Sequence, residues 1–113
     1  ADLLERLATF LGRFYPRIYP VIRMADALRV TVPELDASWR EHRAQRRMQM
    51  QLIAQQLHES GELSPEWTVS SAADWLCAVT SEQQWAELVL EHGWSARRFT
   101  DVTAQIMKKA LLK

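Results

Sequence analysis

Apolar residues recur along this chain at three- and four-residue steps, the period of a helix rather than a strand. Leu3, Leu4, Leu7, Phe10, Leu11 and Phe14 fall on one face of a first helix. Pro16 and Pro20 follow. Proline has no backbone N–H, and its ring collides with the carbonyl four residues back, so the helix is expected to end or kink there. A second, short helix is expected over Arg17 to Val30. Thr31-Val32-Pro33-Glu34 then reads as a helix start, with Pro at the first helical position and Glu near the positive N-terminal end. A long helix is expected over Glu34 to Ser60, carrying Leu35, Trp39, Met50, Ile53 and Leu57, with Gly61 as its stop.

Glu62 to Trp67 reads as a loop around Ser64-Pro65. Thr68 or Ser70 can cap a helix bearing Ala72, Ala73, Trp75, Leu76 and Val79. Ser81 with Gln84 makes a capping box for a helix bearing Trp85, Leu88 and Val89 and ending at Gly93. Ser95 caps a last helix with Phe99, Val102, Ile106, Met107 and Ala110. That helix closes on Lys108, Lys109 and Lys113, the charge that suits its C-terminal end. The pattern predicts an all-α, antiparallel bundle of about six helices in one domain, 1–113.

Composition agrees. Apolar residues make up 48% of 113, enough for a core, and the chain has only three glycines and four prolines. Its 14 Lys+Arg balance 14 Asp+Glu, which speaks against a strongly electrostatic partner for this domain alone. No apolar run approaches the ~20 residues of a membrane helix. Asp2 and Glu5 stand where a signal peptide would be basic, and the single Cys77 fits a reducing compartment, so a cytoplasmic location without membrane contact is expected. Charge is unevenly placed. Ser60 to Ala96 holds six acidic residues and no Lys or Arg, whereas Arg97 onward is basic. Two readings stand: cross-helix ion pairs in antiparallel packing, or two solvated faces.

Catalytic chemistry finds no foothold. His42, His58 and His92 are scattered, HExxH is absent, and one cysteine cannot build a zinc cluster. No GxSxG or glycine-rich phosphate loop occurs. Cys77 lies in the apolar run Trp75-Leu76-Cys77-Ala78-Val79 and reads as a buried, inert thiol. Neither an enzyme, a metal site nor a cofactor is expected. Arg40, Arg43, Arg46 and Arg47 form a basic run on the long helix. It reads as a solvated or ion-paired face, as an anion contact, or as the positive end of a site for an acidic effector.

The aromatics are more informative. Five tryptophans accompany Phe10, Phe14, Tyr15 and Tyr19, which cluster near the prolines. They read as ordinary core, or as the lining of an apolar cavity, since bundle cores host small-molecule sites. The candidate ligand-binding residues are Phe10, Phe14, Tyr19, Trp39, Met50 and Trp75. Trp75, Trp85 and Phe99 make the last three helices too apolar for a single exposed face, so they complete the core or meet another subunit.

From Gly61 to Leu112 the chain reads GELSPEWTVSSAADWLCAVTSEQQWAELVLEHGWSARRFTDVTAQIMKKALL. A Gly-plus-Pro loop leads into an AADxL helix. A Ser-Glu-x-x-Trp turn, a helix ending in HGWS and an Arg-Arg-Phe opening to a last helix follow. This order resembles the C-terminal effector-binding and dimerisation domain of TetR-family transcriptional regulators. The resemblance implies a homodimer through the last two long helices, with Val79, Trp85, Leu88, Phe99, Ile106 and Ala110 at the dimer interface. It also implies a small apolar effector among the preceding helices. DNA would be bound only through an N-terminal helix-turn-helix domain, missing here because no such pattern precedes Asp2, so a fragment of a longer regulator is expected. The competing expectation is a stand-alone helical protein–protein interaction module without a ligand.

Overall fold

A computed structural model describes residues 2–113. Every regular element among them is helical: α1 (Asp2–Leu28), α2 (Pro33–Glu59), α3 (Val69–Val79), α4 (Glu82–Ala86), a π-helical turn (Glu87–Glu91) and α5 (Ala96–Leu111). Only α1, α2, α3 and α5 exceed two turns, against the six or so helices expected. None is long and apolar enough to cross a membrane.

The largest correction is at the prolines. The expected break between two helices is absent, and α1 runs through Pro16 and Pro20. Both prolines are exposed and stand one turn apart, while Leu11, Tyr15, Ile18 and Tyr19 stay packed on the inner side. The missing backbone bonds therefore fall on the solvent-facing strip, and packing along the other strip keeps the helix continuous.

The helix ends follow the capping residues. Ser81 accepts from Gln84 N at 3.2 Å and Ser95 from Arg98 N at 3.0 Å. Thr68 and Ser71 form a reciprocal capping box. Gly61 (φ 76°) and Gly93 (φ 70°) take the left-handed conformation that turns the chain after α2 and after the π turn. The expected helix to Gly93 instead splits at Glu87 into the π turn, where the His92 amide reaches back five residues to the Glu87 carbonyl (3.0 Å).

The core sits at one end of the two long helices. Its larger part joins Leu4 and Ala8 of α1, Met50, Ala54 and Leu57 of α2, Ala72, Ala73 and Leu76 of α3, and Ala104, Met107 and Leu111 of α5. A second part joins Leu11 and Tyr15 to Trp85, Ala86 and Phe99. α1 and α5 cross closely at Gly12, where a Cβ would collide with Thr100 Oγ1. The α2–α3 loop clasps the end of α5: Ser64 N donates to Leu111 O (2.7 Å), Lys113 N to Glu62 O (3.1 Å), and Trp67 Nε1 to Ala110 O (2.7 Å). Carbonyls that a helix terminus leaves open are thereby satisfied.

Beyond Tyr15 no residue of α1 is buried, and none of α2 is buried before Met50. These halves project as a helical hairpin. Its tip is held by Arg29, which pairs with Asp26 (2.8 Å) and Asp36 (3.2 Å) and lies over the Trp39 ring at 5.2 Å. The radius of gyration is 15.0 Å, against about 13 Å for a compact domain of this length. The projecting hairpin accounts for that excess.

The ion pairs differ from the cross-helix expectation. Among the described residues no ion pair joins Asp74, Glu82, Glu87 or Glu91 to α5. Asp74 of α3 pairs with Arg47 of α2 at 2.9 Å, and Lys108 of α5 pairs with Glu5 of α1. The close α1–α5 and α2–α3 packing decides which charges meet.

Replacing Pro16 or Pro20 by Ala is expected to raise the thermal midpoint, by about 1–3 kcal/mol of stability each. Melting followed by circular dichroism checks this; a lowered midpoint for both variants would mean that the rings are needed where they stand.

Candidate functional site

Two clefts flank the middle of α2. The first, of about 510 Å³, lies between α1 and α2. Leu3, Leu7, Phe10 and Phe14 form its α1 wall, one face at helical spacing. Gln49, Met50, Leu52 and Ile53 form the α2 wall, and Leu11 and Tyr15 also line it. The second, of about 700 Å³, lies between α2 and the α3–α4 corner and is bordered by Trp39, Arg43, Arg47, Asp74, Cys77 and Ser81. Ile22, His42, Arg46 and Glu82 line both, so the clefts meet at these four side chains.

Thr80, the residue that ends α3, organises this junction. Tyr15 Oη donates to the Thr80 carbonyl. Arg46 Nη2 donates to Thr80 Oγ1 at 2.6 Å, and that hydroxyl donates to Leu76 O at 2.5 Å. Thr80 is fully buried, yet its polar groups find partners on α1, α2 and α3. Burial pushes the Tyr15 hydroxyl up to about 12; Glu82 adds to the shift and Arg46 partly offsets it.

Three of the expected ligand-binding residues meet in the first cleft. Phe10 and Phe14 stack with ring centroids 5.1 Å apart, and Met50 backs the opposite wall. Phe10 remains 56% exposed. Trp39 lines the second cleft instead. Tyr19 packs on Trp85 (5.4 Å), away from both linings. Trp75 packs on Trp67 (5.7 Å) against the larger core. Cys77 is half-buried on the rim of the second cleft rather than enclosed in the core.

The expected dimer residues are mostly interior. Trp85 is 3% and Phe99 1% exposed, both within the second part of the core. Leu88 packs against that cluster and Val79 against the larger one. Ala110 is half-buried beside Trp67. Only Ile106 of the six, at 52%, offers broad apolar surface. Large exposed apolar side chains lie instead mainly on the long helices and their connecting turn, among them Val21, Met24, Val30, Met48 and Leu52.

The sequence pattern does not single out Thr80, whose only local signal is the Thr-Ser turn after an apolar helix, and Glu82 enters it only within the capping box and the acidic stretch. The π turn brings donor atoms of Glu87, Glu91 and His92 within 4.8 Å of one another on an exposed surface, a grouping that histidine spacing does not reveal. Compared with protein-family models, curated proteins and solved structures, the chain matches none.

Thr80→Val keeps the shape but removes the hydroxyl, leaving a half-buried guanidinium short of an acceptor. An equilibrium urea titration is expected to show a loss of about 1–3 kcal/mol; an unchanged midpoint would exclude Thr80 as the joint. Tyr15 adds an alkaline signature. Its raised pKa means that its contribution is fully present below pH 10, the unfolded value, and is lost as pH rises through 10 toward about 12. That loss is on the order of 2–3 kcal/mol, and should be missing in Tyr15→Phe when stability is measured across this range.

Proposed function

We propose that this chain is the ligand-sensing and dimerisation domain of a TetR-like transcriptional regulator, acting as a repressor released from DNA by a small apolar effector. The observation that carries the reading is the cleft between α1 and α2, where Phe10, Phe14 and Met50 converge. Its size is in the range of small-molecule sites, and it is apolar with a few polar groups at one end. It also adjoins the least tightly held part of the fold, the projecting hairpin.

An effector there acts by differential affinity. It favours the spacing of α1 and α2 that best fits it, and the equilibrium shifts by the difference in binding to the two arrangements. In a homodimer carrying helix-turn-helix domains, such a shift alters the separation of two recognition helices. These fit DNA about one turn apart, roughly 34–36 Å. The DNA-binding part belongs to sequence outside this chain, the dimer to a second copy, and the whole to the cytoplasm. No catalytic step and no cofactor enters this scheme.

One observation favours a second reading, a stand-alone protein–protein interaction module. Trp85 and Phe99 are spent on the interior, whereas the long helices leave Met48 and Leu52 in solvent, Leu52 being 62% exposed. Exposed apolar side chains grouped on one element mark contact surfaces.

Sedimentation equilibrium and tryptophan fluorescence separate the two. The sensor is expected to be a dimer at micromolar concentration, weakened by Ile106→Asp, and to change emission on adding apolar small molecules. A monomer that is indifferent to every such compound would leave the interaction module as the reading.

A further inference from the structure

At the point where the two clefts meet, Arg46 and His42 face one carboxylate, Glu82. Arg46 contributes a guanidinium, which only donates hydrogen bonds, and one of its nitrogens is already placed by Thr80 Oγ1 at 2.6 Å. His42 and Arg43 stand beside it on α2, and neither makes a hydrogen bond or ion pair among the described residues. The indole Nε1 of Trp39, on the second cleft, is buried without an acceptor; it is the sole buried side-chain polar atom of the described residues left so. An indole N–H, too, can only donate.

The carboxylates facing this point are Asp74 and Glu82. Asp74 is engaged by Arg47 at 2.9 Å. Glu82 alone stands against Arg43 and Arg46. The surroundings therefore favour an acceptor carrying negative charge over a cation or a neutral donor. From here the first cleft leads away along an apolar track. Its α1 wall, Leu3 to Phe14, is 12 residues long, roughly 16 Å from end to end at the helical rise.

Taking the α1–α2 cleft as the effector site proposed above, we infer that its ligand is apolar only in its tail and carries an anionic head, an anionic amphiphile. An alkyl or aryl tail lies between Phe10, Phe14 and Leu52, and a carboxylate sits at the junction on Arg46. The guanidinium is the group suited to it, because its planar fork matches two carboxylate oxygens. Thr80 holds that fork in place before any ligand arrives, which lowers the ordering cost of binding. The head group so placed draws α2 toward the α3–α4 corner while the tail spaces α2 from α1. Both act on the hairpin.

Three probes with one tail test this on the whole chain: decanoate, decanol and decyltrimethylammonium, titrated by calorimetry with thermal shift as a second readout. Decanoate is expected to bind at one site per chain, roughly ten- to a hundredfold more tightly than decanol, with the ammonium weakest. Arg46→Gln should bring decanoate down to the level of decanol, and Arg46→Lys should recover part of the difference. The comparison within the unaltered chain stands even if Arg46→Gln folds poorly. Decanol binding as tightly as decanoate, with Arg46→Gln neutral, overturns the head-group inference and leaves the effector cleft in place. Failure of all three probes to bind, in calorimetry and in thermal shift alike, overturns the cleft as well. Partition into phosphatidylglycerol vesicles without saturable decanoate binding would assign the basic residues to a lipid surface and also overturn it.

Discussion

The fold turns on the buried Thr80, whose two oxygens are shared by three helices. Its carbonyl takes the Tyr15 hydroxyl from α1, and its Oγ1 takes Arg46 from α2 while donating back into α3. A polar group in such a place is costly unless partnered, and the buried Tyr15 hydroxyl would in turn lose its acceptor without it. The arrangement therefore holds three helices together and specifies which surfaces meet. It also puts a guanidinium beside an apolar cleft, a position that Arg46 would not take from packing alone.

On one side of that joint the chain is a packed domain. Small residues let helices approach closely: Ala8 and Gly12 on α1, Ala54 on α2, Ala72 and Ala73 on α3, and Ala104 on α5. On the other side α1 and α2 continue without a core of their own, braced at the tip by Arg29. Segments with few buried apolar contacts open at lower free energy than the core does. A cleft at the boundary can couple what it holds to the position of the hairpin, whereas one within the alanine-rich end could not without unpacking it.

The aromatics divide along the same line. Trp85, Phe99 and Tyr15 fill the space between α1, α4 and α5. Trp67 and Trp75 cover the larger core from the α2–α3 loop and α3. Phe10 and Phe14 remain at the cleft, half in contact with solvent. Bulky apolar residues thus serve interior, cover and cleft in one small chain. A single helical stripe does not distinguish these uses, because it reports only which face points inward and not what waits there.

Helical period, capping residues and chain-reversing glycines are local properties, and from them the all-α class and most helix ends were readable. Ser81, Ser95, Thr68, Gly61 and Gly93 act through neighbours only a few residues away, so their roles survive without knowledge of the rest. Phe10, Phe14 and Met50 were likewise within reach as a cleft lining, since each lies on the inward stripe of its own helix. The continuity of α1 through two prolines was not readable, because long-range packing of Tyr15 and Tyr19 outweighs a local penalty there. Nor was the choice between core and subunit contact for Trp85 and Phe99, or the meeting of Arg46 with Thr80 34 residues away. Those depend on which helix lies against which, and that choice belongs to the packed chain as a whole: alanine and glycine contacts set the approach of the helices, and the approach selects the side chains that touch.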